Sequence, residues 1–189
     1  MLASLLALHC VTAAAGGYDP AKAVANALAH YNHVQHDCST VYDRCTPWSY
    51  WGEEACGFPS HGGDCANFLS QNLLAGGHPP LTLAPCRGFP CGKEEIGAAN
   101  LGACLAKNYG WRSTCGPRQK PPPDVKVGDA LIFHGRSCSD TEAHATLVVS
   151  VDGGWVGLAA HSTNVFNKSY TDYLSEFGVR FFLRVVVAQ

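Results

Sequence analysis

"HGGDCANFLSQNLLAGG", residues 61–77, decides how this chain folds. After His61, two glycines and an aspartate run into apolar residues at helical spacing, and Gly76-Gly77 ahead of Pro79-Pro80 ends the run. A glycine in the left-handed region is a common helix stop, and proline cannot continue the helix. The spacing predicts a helix from Asp64 to about Ala75, with Cys65, Phe68, Leu69 and Leu73 on its buried side. That reading puts a thiol in a first helical turn, where unpaired backbone N–H groups favour an anion.

Upstream, Asp19-Pro20 followed by "AKAVANALAHYN" predicts a second helix, with Asp19 as N-cap and Pro20 at the first helical position. Val24, Ala27, Leu28 and Tyr31 fall on its expected inward face. Residues 37–60 hold three cysteines and the aromatics Trp48, Tyr50 and Trp51, which reads as a loop stapled by cross-links over packed rings. A third helix is expected over roughly 96–109, and "KPPPD" at 120–124 marks a break. Beyond it the apolar period falls from 3.6 to 2. "VGDALIFH" (127–134), "HATLVVSV" (144–151), "WVGLAAH" (155–161) and "VRFFLRVVV" (179–187) predict strands of an antiparallel sheet or half-barrel. Helices first and strands second is an α+β arrangement, and 189 residues suffice for one domain with its own core.

"MLASLLALHCVTAAAGG" has the apolar run and small-residue site of a secretory signal over residues 1–15, which leaves 16–189 as the single domain. The cysteines agree with export. With Cys10 in the signal and Cys65 set aside, Cys38, Cys45, Cys56, Cys86, Cys91, Cys104, Cys115 and Cys138 form an even set for disulfides in an oxidising compartment. Cys86 and Cys91, flanking "RGFP", make the natural local pair. The expected setting is extracellular, or the lumen of an oxidising compartment, an acidic one included. A formal charge of -2 with scattered basic residues offers no nucleic-acid stripe, and no apolar run is long enough to span a membrane. A monomer is expected.

Cys65 is then the odd thiol in the count, at a helix start, placed to act as a nucleophile once its pKa is lowered. Gly62 and Gly63 allow close backbone approach, and the Cys65 N–H could hold a developing oxyanion. A base is available from the sheet. With Asp152-Gly153 as a hairpin turn, Val151 pairs with Gly154 and His144 falls opposite His161; with Gly153-Gly154 as the turn, Thr163 takes that place. Asn164, Asp140 and Glu142 compete with His161 as the group that orients His144.

"GGDCANFLSQNLLAGG", "VGDALIF", "EAHATLVVSV" and "AHSTNVFNKSYTDYL" resemble, in order and spacing, the putative amidase domain of the papain-like superfamily, which is related to the NlpC and CHAP cell-wall hydrolases. Together with "YDPAKAVANALAHYN", the resemblance covers roughly residues 18–185. It implies a papain-like fold, Cys65 as nucleophile, His144 as general base and acid, and His161 as third residue. Asp64, Asn67 and Gln71 would support the site, with Asn164 beside them. It implies no cofactor and no metal, and a peptide, protein or peptidoglycan substrate. The cysteine-rich insertions at 37–60 and 84–115 depart from the plain bacterial pattern. The competing readings are a secreted binding module that kept the scaffold and lost activity, and a structural extracellular protein.

Two further motifs have plainer readings. His30, His33 and His36 match no common zinc spacing and read as solvated helix histidines. Asn167-Lys168-Ser169 is an N-glycosylation sequon, and Asn167 a candidate acceptor in a eukaryotic secretory route.

Overall fold

The computed structural model describes residues 17–32, 65–81, 97–117, 120–141, 143–161, 164–177 and 182–187. The signal segment, the 37–60 loop, Cys86 with Cys91, Asp64 and Glu142 lie outside them. The described elements, in chain order, are α1 (Pro20–His30), α2 (Cys65–Ala75), α3 (Ala98–Asn108), β1 (Arg112–Pro117), β2 (Ala130–His134), β3 (Ala143–Asp152), β4 (Trp155–Ala160), β5 (Val165–Ser169), α4 (Tyr170–Phe177) and β6 (Phe182–Val187). This is the α+β arrangement expected, with a wholly antiparallel sheet in the order β1-β6-β2-β3-β4-β5.

α1 begins as its sequence predicts: the Asp19 carboxylate accepts from Ala21 N and Lys22 N, and Pro20 fills the first turn. Its inward face is narrower than expected. Ala23 and Ala27, four apart, are fully buried, whereas Leu28 is 54% exposed. The close approach of α2 explains the small residues, since Asn26 Nδ2 donates to Asn72 Oδ1 across the two helices. On α2 the expected Cys65, Phe68, Leu69 and Leu73 are all buried, and so are the polar Asn67, Ser70 and Asn72. This helix therefore lies sandwiched rather than half-exposed.

The sheet has two buried faces. Ala130, Ile132, Ala145, Leu147, Val149 and Ala159 form one cluster with α1, α2 and α3, a cluster that includes Cys65. Leu131, Phe133, Val148, Val156, Leu158 and Ala160 form the other, with Tyr170 and Tyr173 of α4. Strands covered on both sides read as nearly continuous apolar runs, as "ALIF" and "LVV" do.

The hairpin register corrects one expectation. Asp152 pairs with Trp155, so Gly153-Gly154 is the turn, both at positive φ, and not Asp152-Gly153. An irregularity between Val148 and Ser150 then shifts the ladder by one residue, and Leu147 pairs with Ala159. Neither turn reading therefore matches the ladder from Val148 toward the start of β3. One disulfide is described in full, Cys115–Cys138, which ties β1 to the loop between β2 and β3, and Cys104 is disulfide-bonded as well.

Candidate active site

Cys65 opens α2 as a reduced thiol, outside the disulfides, and is only 4% exposed. Its neighbours along the helix are polar in a dry setting. Gln71 Nε2 donates to Asn67 Oδ1 at 3.0 Å, one turn apart, and Asn72 Nδ2 donates to the Phe68 carbonyl at 2.9 Å. Both bonds satisfy groups whose burial would otherwise be costly. Asn67 and Gln71 thus bond to each other along α2, turned round the helix from Cys65.

His161 follows β4 and is fully buried. Its ring stacks on Phe68 of α2, with centroids 4.1 Å apart and planes 25° apart. The His30 carbonyl lies 2.9 Å from His161 Nε2; a carbonyl accepts only, so Nε2 carries a proton and donates it. The C-terminal end of α1 thus holds the ring of a histidine that stacks on α2 three residues beyond Cys65. Of the three histidines in "HYNHVQH", His30 therefore acts here through its backbone.

His144 lies elsewhere. It pairs with Phe133 across β2–β3, and its ring stacks on Tyr173 of α4 at 5.6 Å. Those contacts belong to the α4 face of the sheet, whereas His161 stands on the α2 face. Its Nε2 is buried, and burial pulls its pKa down to about 4, so the ring is neutral through most of the ordinary pH range. The structure brings Cys65 and His161 to one face and places His144 on the other.

The remaining candidates have evident local duties. The Asp140 carboxylate accepts from Arg136 N and Nε, closing the β2–β3 loop. Asn164 is exposed at a φ of 48°, a left-handed position that asparagine tolerates better than most residues. Asn167, at a φ of 57°, accepts from Ser150 Oγ at 2.5 Å over Gly157, where a side chain would collide with it.

Two histidines were passed over in the sequence. His78 is buried between the rings of Tyr109 and Trp111, with Nδ1 donating to the Pro79 carbonyl at 2.7 Å. His134 ends β2, is 1% exposed, and its Nδ1 donates to the Asp140 carbonyl at 2.9 Å. The available signal was alternation: Ala130, Ile132 and His134 share a face, and a histidine continuing an apolar stripe needs an explanation.

Searches of curated proteins and of solved structures find no match to the chain. A family model does match, over residues 17–182, from just before α1 to the first residue of β6. The chain therefore belongs to the putative amidase domain family.

Proposed function

We propose that the protein is a secreted, disulfide-stabilised cysteine hydrolase of papain-like fold that cleaves amide or peptide bonds. One observation carries this: a reduced cysteine at the first residue of a buried helix, in a chain whose other described cysteines are bridged and whose family is named for amide chemistry. The helix N-terminus favours the thiolate. Cys65 Sγ attacks the carbonyl carbon, an imidazole delivers a proton to the leaving amine, and water then releases the acyl group from sulfur. The resemblance gives His144 the proton and His161 the orienting role. Peptidoglycan peptides and their amide bonds are the substrate class its relatives suggest, and other peptides come next.

The test is turnover of a panel of muropeptides, peptide amides and unstructured proteins by the wild type and by Cys65→Ala, His144→Ala and His161→Ala. Cys65→Ala should abolish hydrolysis while leaving the unfolding transition in place. Full activity in that variant would remove the nucleophile and the reading with it. A second reading, an inactive binding module on the same scaffold, draws on the placement of His144 with Tyr173. Substrate binding without turnover by the wild type would favour it.

A further inference from the structure

The tip of the β3–β4 hairpin leaves one large ring uncovered. Trp155, the first residue of β4, is 45% exposed and stacks on no ring among the described residues. Val156 and Leu158 turn into the α4 cluster, so Trp155 and Gly157 face the other side of the sheet, the side of the cluster that includes Cys65. Across the hairpin, Ser150 pairs with Gly157 and Asp152 with Trp155. A Cβ on Gly157 would collide with Asn167 Oδ1 and Ser150 Oγ, so that hydrogen-bonded pair lies directly over the glycine, two residues along the strand from the indole. A Cβ on Gly153 or Gly154 would meet no described atom within 4 Å, so the turn itself stands clear. His161 follows the far end of β4, about 20 Å along the strand from Trp155.

The polar groups beside the indole are open in a particular way. Asn167 Oδ1 is taken by Ser150, which leaves the exposed Nδ2 with two N–H donors that no described residue accepts. The Asp152 carboxylate, exposed next to Trp155, makes no ion pair or hydrogen bond with the described residues. Lys168, the cation of the neighbouring β5, pairs with Glu176 and lies over the Tyr173 ring on the α4 side. The patch therefore offers an apolar plate, amide donors and an acidic acceptor, and its charge disfavours an anionic ligand. A pyranose ring matches this set. Its axial C–H bonds form a faintly positive apolar face for the negative face of the indole, and its hydroxyls both donate and accept at the rim. An extended peptide matches less well, because both backbone edges of β4 at Gly157 are taken, by Ser150 and Ser169. Asp152 beside the turn opposes insertion into a bilayer.

We propose that this hairpin patch is a carbohydrate-binding site for a neutral polysaccharide strand. Trp155 stacks on one sugar ring, Asn167 Nδ2 donates to hydroxyl oxygens at its rim, and Asp152 accepts from hydroxyl groups. Gly157 keeps the face between ring and amide free of any side chain of its own. The site stands whether or not Cys65 is the nucleophile. With Cys65 as nucleophile, a strand held here would keep peptides attached to it at high local concentration near the thiol, at the other end of β4.

The experiment is a titration of the oxidised full chain with cellotetraose and with N-acetylchitotetraose, followed by the backbone and indole N–H resonances. With one sugar or both, the signals of Ser150, Asp152, Trp155 and Asn167 should move and saturate together. Trp155→Ala should weaken that binding by roughly tenfold or more. Asn167→Asp keeps an oxygen for Ser150 and loses the N–H donors, so it should weaken binding by a smaller factor. Both side chains are exposed, and the unmoved remainder of each spectrum checks that the fold is intact. Absence of movement at these four residues with either sugar overturns the proposal, as does undiminished affinity in Trp155→Ala. Movement confined to α2 and His161 would put the sugar at the thiol end and overturn it too. So would movement of the same four signals with an alanine-glycine peptide or phosphatidylglycerol vesicles and not with the sugars, or a glycan found covalently on Asn167. Hydrolysis that survives Cys65→Ala would remove the nucleophile reading and leave these shifts in place, so the two fail separately.

Discussion

His144 shows how far burial governs a single residue. Its folded pKa, about 4, lies below the ordinary 6.5, so the unfolded chain takes up the proton first as the pH falls. Its share of stability is complete above about pH 6.5 and is lost between there and about 4. The shift corresponds to about 3 kcal/mol at most. His78, whose pKa burial also lowers, adds to the loss in the same direction. Denaturant midpoints measured from pH 7 to 4 should fall steadily, and His144→Phe, which keeps a ring against Tyr173, should flatten that fall. A wild-type slope in the variant would assign the acid sensitivity to other groups. At this scale the sequence was informative about which cysteine stays outside the disulfides and less so about where the histidines face. Cys65 was legible from its two glycines and its helix start, and His161 from its strand. The register between the His144 strand and the His161 strand depended on a turn and on a one-residue irregularity that no side chain advertises.

Among the elements, those with strong punctuation could be read and those without could not. Asp19-Pro20 announced α1, and the Asp19 cap should be worth about 1 kcal/mol, so Asp19→Ala is expected to lower unfolding stability by that amount while leaving Cys65 chemistry intact. The unexpected elements were β1, β5 and α4. β1 ends in Gly116-Pro117 with an exposed start, and so lacks alternation. β5 includes Asn167 at positive φ, a residue that interrupts any strand pattern. α4 did carry a signal: Ser169 Oγ accepts from Asp172 N three residues on, the first half of a capping box. Gly157 is a further element-level test. A methyl there would meet Ser150 Oγ and Asn167 Oδ1, so Gly157→Ala should break their hydrogen bond and loosen β5 from β4. Faster amide exchange confined to β4 and β5 would show it, whereas unchanged exchange would mean that β5 accommodates the methyl.

For the whole molecule, the described sheet is held laterally by hydrogen bonds and at one edge by a covalent tie. Cys115–Cys138 closes a loop over a sequence separation of 23 residues. By chain entropy, closure of that length contributes about 3 kcal/mol. A Cys115→Ser/Cys138→Ser double variant should unfold at correspondingly lower denaturant concentration. Because the bridge anchors the loop whose Asp140 carbonyl receives His134 Nδ1, the variant should also speed amide exchange over residues 134–140. Loss of stability with unchanged exchange there would confine the bridge to the edge strand.

β6 lies between β1 and β2, although it is the last described element in the chain. β2 to β5 can each meet a neighbour as they emerge from the ribosome, but β1 pairs among the described strands with β6 alone and waits until residues 182–187 arrive. The sheet is therefore sealed by its latest piece, which acts as a keystone. Nascent chains halted before that point should remain protease-sensitive, with β1 detached and the Cys115–Cys138 pair not yet held together by the sheet. Synthesis itself would thus time the closure of the sheet, which needs residues 182–187 to have emerged.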